Sequence, residues 1–514
     1  MKKLTVVFNR LVTKYSFTAE ARRTQRFRRE RIGEEMRRRE KMGGESHSFS
    51  FSLLLSARPP RSPRLCGEKR FDHLRRFLTL AAIVLTAALP SLISAQTLLE
   101  KRFSVAAESE ALLDLTASAP GTSWGERGAE AAVVTIYVDG QYHQDVILFA
   151  GALEFSYQLM LGRVGPGEHS LRVEFNRKQS AAKATSVKIG DAKVTTIDRK
   201  HPEFQAIARA PIIYARPDTV GKFSDIPLLA YYESERPGAY DRFAYTVIFS
   251  NEDGGTQTTA LMARWGRTTD IEWVCETRIG ADGEAGNIFQ GANHQNTQFA
   301  GKLEADHPLM FDATVNNNFS DHGQSEMRFA LRPLPFDARA ASREEMMDRH
   351  PWTYQVMADE MIREGKITDE RKPGQAINDL RNYVYFDVCS NQAGAALSVA
   401  VKLKGDPVWR ASDWGIANYR IDRSGIFRTT ALLPKRARLE EIERIVARCD
   451  VKGDPKTQPE LSQVPSASCD LRSVNKIFVL DDDYRPGASL KLSFRPVKIS
   501  SGEMVEIYNN ALKQ

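Results

Sequence analysis

Asp270 and Glu272 stand two residues apart in the segment DIEWVCE. On a strand, whose side chains alternate with a period of two, they share one face. Two carboxylates so placed serve as a cation site or as an acid and base pair, and they also suit the wet face of an ordinary strand. Further along lie His307 and the run NNNFSDHG, which contains Asp321 and His322. Histidine and aspartate both ligate metals and shuttle protons. His307, Asp321 and His322 are therefore the candidate metal ligands, and Asp270, Glu272 and His322 the candidate catalytic groups. Asparagines followed by glycine equally build a plain turn. Asp481, Asp482 and Asp483 offer oxygens to calcium, but no loop register supplies the roughly six that calcium takes.

No GxSxG elbow, HExxH helix, glycine-rich phosphate loop or EF-hand loop occurs in the chain. The first functional reading is accordingly a binding protein without a cofactor, in which Tyr137 and Tyr142 stack on a glycan. Tyrosines at such positions also simply cap a strand. The second reading is a metal-assisted hydrolase, with a divalent ion held among Asp270, Glu272, His307, Asp321 and His322.

The scaffold under these residues reads as mainly β. AVVTIYVDGQYHQDVILF carries β-branched and aromatic residues on either side of Asp139-Gly140, a strong hairpin dipeptide. Leu171, Val173 and Phe175 alternate with Ser170, Arg172 and Glu174, which gives one buried and one wet face. Residues 96–197 are expected to form an antiparallel, immunoglobulin-like sandwich. Polar residues 198–209 read as a linker, and 210–514 as a larger β-rich domain. In it FAYTVIFSNEDGGTQTTALMARWG reads as a hairpin with arms at 247–249 and 260–262. Helices are expected near 342–365 and 436–449. The first has Ser342 and Glu345 as a capping box, a stripe of Tyr354, Met357, Ala358, Met361 and Ile362, and Gly365 as its end. The second has Leu439, Ile442 and Val446 on one side.

Residues 69–95 have basic, apolar and small sections in the order of a secretory signal peptide, with Arg70, Arg75 and Arg76 ahead of FLTLAAIVLTAALPSLISA. The arginine-rich residues 1–68 then read as a misannotated or disordered leader. The whole chain carries a net charge of +7. Residues 1–95 hold 21 Lys or Arg against 8 Asp or Glu, leaving 51 against 57 beyond them, a net of −6. That mildly acidic remainder argues against a nucleic-acid partner. The expected location is periplasmic or extracellular, with no membrane span after signal cleavage and with a glycan or cell-envelope partner. Four cysteines follow the signal segment, none in a CxxC pair. Cys449 and Cys469 flank a Pro- and Asp-bearing loop and are the expected disulfide.

APIIYARPD, DIEWVCETRI and HPLMFDATVNNNFSDHG occur in an order that resembles the vacuolar-protein-sorting-associated family sixty-two and its bacterial relatives. The likeness covers about 210–330. It implies a β-sandwich protein without an established reaction, with Asp270, Glu272 and His322 at the matching positions. That family shows Gly-Asp-Trp-Glu-His where this chain has Thr269-Asp270-Ile271-Glu272-Trp273.

Overall fold

A computed structural model describes residues 96–238, 240–252, 254–453, 458 and 467–510. The expected leader and signal peptide lie outside the described residues. Those described belong to one compact unit, 93–514, and the chain is mainly β. No described helix is long and apolar enough to cross a membrane.

Seven strands come first: β1 (Gln96–Val105), β2 (Ser109–Ser118), β3 (Ala132–Val138), β4 (Gln141–Leu148), β5 (Phe155–Val164), β6 (Gly167–Phe175) and β7 (Lys188–Ile197). They make two antiparallel sheets, β1-β6-β3-β4 and β5-β2-β7. Asp139 and Gly140 both take positive φ, 49° and 76°, as a two-residue turn between twisted strands requires. Leu113 and Leu115 of one sheet share a core with Ile136, Leu171 and Val173 of the other, so the apolar half of the alternation read from β6 is inside, whereas Glu174, expected on the wet face, is buried as well.

The middle of the chain supplies two further sheets. One has the order β13-β12-β11-β10-β9-β18, from β9 (Pro227–Glu235), β10 (Asp241–Phe249), β11 (Ile271–Ile279), β12 (Ala285–Gly291), β13 (Gln295–Gln298) and β18 (Leu334–Pro335). The other has the order β14-β15-β8-β17, from β8 (Ile212–Tyr214), β14 (Leu303–Glu304), β15 (His307–Asp312) and β17 (Arg328–Phe329), with β16 (Phe319–Ser320) paired to β15. The last eight strands are β19 (Tyr383–Ala393), β20 (Ala395–Leu403), β21 (Trp409–Ala411), β22 (Gly425–Leu432), β23 (Ile442–Val451), β24 (Ser468–Val479), β25 (Val497–Ser500) and β26 (Met504–Asn509). They form sheets β22-β19-β24-β25 and β21-β20-β23-β26 around a shared core.

Among the described residues four α-helices complete the set: α1 (Phe204–Ala208), α2 (Thr258–Trp265), α3 (Glu345–Arg349) and α4 (Trp352–Arg363). Tyr354, Met357, Ala358 and Met361 are buried on α4 as expected, whereas Ile362 is 51% exposed. Ser342 does not cap this region. Residue 344 precedes α3 without a side-chain cap, and the Ser342 hydroxyl donates instead to Asp387.

Three expectations are corrected. The segment 442–449 is strand β23, not helix. Ile445, Ala447 and Cys449 are fully buried while Arg448 faces outward, so the same letters also carry a period of two. Pairing with β20 and β26 selects that period, and a register shift at Ile445/Val446 brings Val446 inside. Residues 260–262 lie in α2 rather than in a hairpin arm. The partner of β10 is β11, while α2 buries Leu261 and Met262 and receives the hydroxyls of Thr429 and Thr430 on its last carbonyls. Residues 198–209 are not a solvated linker. Phe204 and Ile207 of α1 are buried in a core with Leu112 and Met160 from the first sheets and Ile212 and Tyr245 from the middle ones.

Cys449 on β23 and Cys469 on β24 are bonded, with Cα atoms 5.8 Å apart, and tie the two facing C-terminal sheets. Cys275 and Cys389 are free. The bridge closes a sequence separation of 20 residues, for which loop entropy predicts about 3 kcal/mol of stabilisation. Cys469→Ser should lower the melting temperature of oxidised protein and leave the reduced melt nearly unchanged. Equal oxidised melts of variant and parent would refute this.

Candidate functional site

The Asp270 region is a dense polar centre. Asp270 lies immediately before β11 and is 3% exposed, and Glu272 sits half-buried at the strand's start. The two carboxyls are hydrogen-bonded to each other. Two like charges so close in a poorly hydrated place cannot both ionise. Burial and then the Asp270 charge push Glu272 up to about 8, so at neutral pH Glu272 is the donor of the shared proton. Asp270 is itself raised, because burial outweighs the pull of Arg267. Glu252, on the loop after β10, is pushed up to about 7 by burial and Asp270.

The loops fold over this pair through small and amide residues. A Cβ on Gly254 would come within 2.8 Å of the Val315 side chain, so glycine lets the loop after β10 lie against the start of the asparagine run without displacing that side chain. From that run the fully buried Asn317 amide donates to Asp270 at 2.9 Å and to Asp225 at 3.2 Å. The Gln290 amide donates to Glu272. Asp312, on β15, is pushed up to about 7 by burial, with the Arg216 charge opposing.

The other sequence candidates stand elsewhere. His307 is buried, with one ring nitrogen 2.9 Å from the Ala210 carbonyl and the other 3.2 Å from Glu110. Both ring nitrogens thus face protein oxygens at hydrogen-bond distance, and neither is turned toward an open position for a metal. Burial would raise Glu110, but His307 and Arg163 outweigh it and hold that carboxyl low. The His307–Glu110 contact pins β15 to β2. Asp321 accepts the Ala300 amide and pairs with His322, whose side chain is 89% exposed. Asp321 and His322 thus form a surface turn, and His307 does not meet them. One carboxylate oxygen of Asp481 accepts the amides of both Asp483 and Arg485, again as a turn.

Among the described residues, three ligand atoms come within 4.8 Å of one another at Glu345, Asp348 and Asp387. The place of a cation is taken there by protein. Arg428 pairs with Asp387 and Asp348, and Lys476 with Asp348 and Glu345.

The hairpin tyrosines diverge. Arg172 lies over the Tyr137 ring at 4.3 Å and covers one face. Tyr142 is 43% exposed and donates its hydroxyl to Asp145 at 2.7 Å. Asp145 in turn borders a cavity of about 220 Å³ between β4, β5, β9 and the start of α4. Its walls include Phe149, Phe155, Tyr157 and Trp352, whose ring centroids lie 4.9–5.2 Å apart, with Phe149 stacked on Trp352 and the other pairs edge-on. Gln158, Arg332 and His350 stand among them. Burial and then the Arg349 charge lower His350, which keeps its imidazole neutral. Sequence reading missed this cavity because its walls are nearly two hundred residues apart. The aromatic cluster at 149–157 was the only local signal. Comparisons found no family model that matches the chain and no curated protein similar to it.

Proposed function

We propose that this chain is an exported binding protein that seats a glycan end or a comparably small cell-envelope component in the aromatic cavity. Export is inferred from the signal-like residues 69–95. The cavity carries the binding reading: a mostly apolar, preformed hollow with a few polar groups aimed into it is the usual form of a small-molecule site. At about 220 Å³ it is smaller than the roughly 300–1,000 Å³ typical of drug-sized ligands, which favours a single ring. Sugar rings offer C–H faces to aromatics and hydroxyls to groups such as Asp145, Gln158 and Arg332.

Trp352 supplies the test. Titration with mono- and oligosaccharides from envelope polymers should change its fluorescence saturably. Arg332→Ala should weaken binding about tenfold, the worth of one hydrogen bond to a charged group. A flat titration across such a panel, or equal affinity in parent and variant, would refute the reading.

The proton shared by Asp270 and Glu272 favours a second reading, acid and base hydrolysis. Glu272 would supply the proton and Asp270 the base. His307, Asp321 and His322 take no part in it, so the five-residue metal centre is not carried forward. A hydrolytic activity that survives Asp270→Asn undiminished would dismiss this alternative.

A further inference from the structure

A separate cavity of about 460 Å³ lies where the segment after α4 meets the ends of β21 and β22. Its lining includes Arg371, Arg410 and Lys435, with Asn378, Asn382 and one carboxylate, Asp369. Three cations against one anion give this hollow a net positive charge.

The polar groups are placed rather than scattered. Arg410 is 9% exposed. Its guanidinium is fixed by the Asp406 carboxylate at 2.6 Å and the Val408 carbonyl at 3.2 Å. Arg371 rests over the Trp414 ring at 5.5 Å. Among the described residues it has no ion-pair partner, and neither has Lys435. Asn382 is buried, and its carbonyl oxygen accepts the Arg436 amide at 3.0 Å. Its side-chain NH₂ is left without an acceptor among the described residues. Burial and then the Arg410 charge lower Arg371, with the Asp406 charge opposing, so the two guanidiniums that line this hollow act on each other.

We propose that this cavity is an oxyanion site, binding a phosphate or sulfate group between Arg371 and Arg410 with the Asn382 amide and Lys435 as further donors. Guanidinium forks match such oxygens in pairs. An anion there would relieve the repulsion between the two arginines. The site is distinct from the aromatic cavity and does not depend on what that cavity holds.

Trp414 reports on the site directly. At low ionic strength, inorganic phosphate and sulfate should each change Trp414 fluorescence saturably and raise the melting temperature. Glucuronate serves as the carboxylate arm, and chloride at matched ionic strength as the control. Arg371→Gln should bind at least about tenfold more weakly while melting no lower than the parent without anion, because the substitution removes one of the two cations that repel each other. In Trp414→Phe the fluorescence change should vanish and the thermal shift remain. A response that chloride reproduces, one that only glucuronate evokes, or undiminished phosphate and sulfate binding in Arg371→Gln would overturn the proposal.

Discussion

Arg428→Met should cost the protein about 3–5 kcal/mol of unfolding free energy, the usual penalty for stranding buried partners of an ion pair. Arg428 is fully buried. It binds Asp387 at 2.6 and 2.8 Å, Asp348 at 2.8 Å through both terminal nitrogens, and the Tyr354 hydroxyl at 2.5 Å. Its guanidinium lies 5.0 Å from the Phe478 ring centroid. One side chain on β22 thus joins β19, α3, α4 and β24. Methionine fills much of the volume but leaves two carboxylates facing each other in a dry place. Lysine should not rescue, since a single ammonium cannot meet two carboxylates at fork geometry. Adding Asp387→Leu to Arg428→Met should restore part of the loss, because one stranded charge is gone. Denaturant unfolding measures all three, and a loss below about 1 kcal/mol for Arg428→Met would show that the network is no keystone.

Glu272→Gln should make the protein more stable than the parent at about pH 8 and equal to it below about pH 4. The sign follows from proton binding. The folded carboxyl titrates near 8, against roughly 4.3 in an unfolded chain. Between those values the folded state holds a proton that the unfolded state has lost. The stability associated with that proton is fully present below the unfolded pKa and is lost as pH rises through the folded one. Glutamine keeps a donor toward Asp270 and cannot ionise, so the difference between variant and parent isolates this group. At about 1.4 kcal/mol per unit, the difference should be on the order of 2–4 kcal/mol at the alkaline end. The buried His143, held down to about 4, works in the opposite direction. It contributes stability above its unfolded pKa of about 6.5, lost as pH falls toward 4. Its contribution is common to both proteins and cancels in the difference. Parallel melting curves for the two proteins across this range would mean that Glu272 ionises normally.

What the sequence makes legible depends on how far apart along the chain the interacting residues lie. The Asp139-Gly140 hairpin, the alternation in β6 and the buried stripe of α4 were readable because each depends on neighbours within a few residues. The face shared by Asp270 and Glu272 followed from the strand period alone, and the Cys449–Cys469 bond from the loop between them. What surrounds Asp270 was not readable. Glu252, Asn317 and Asp312 come from other loops and strands, and their proximity, with the burial that raises these carboxyls, exists only once β10, β11 and β15 are packed. The same reason explains the errors. Helical and extended periods both fit 442–449, and only the presence of β20 and β26 on either side decides between them. His307 looked like a ligand by type, yet whether its nitrogens are spent is set by Glu110, nearly two hundred residues earlier. Local sequence thus determined where the chain turns and which face is apolar. Tertiary packing alone decided which polar groups are paired, because pairing depends on distance in space and not along the chain.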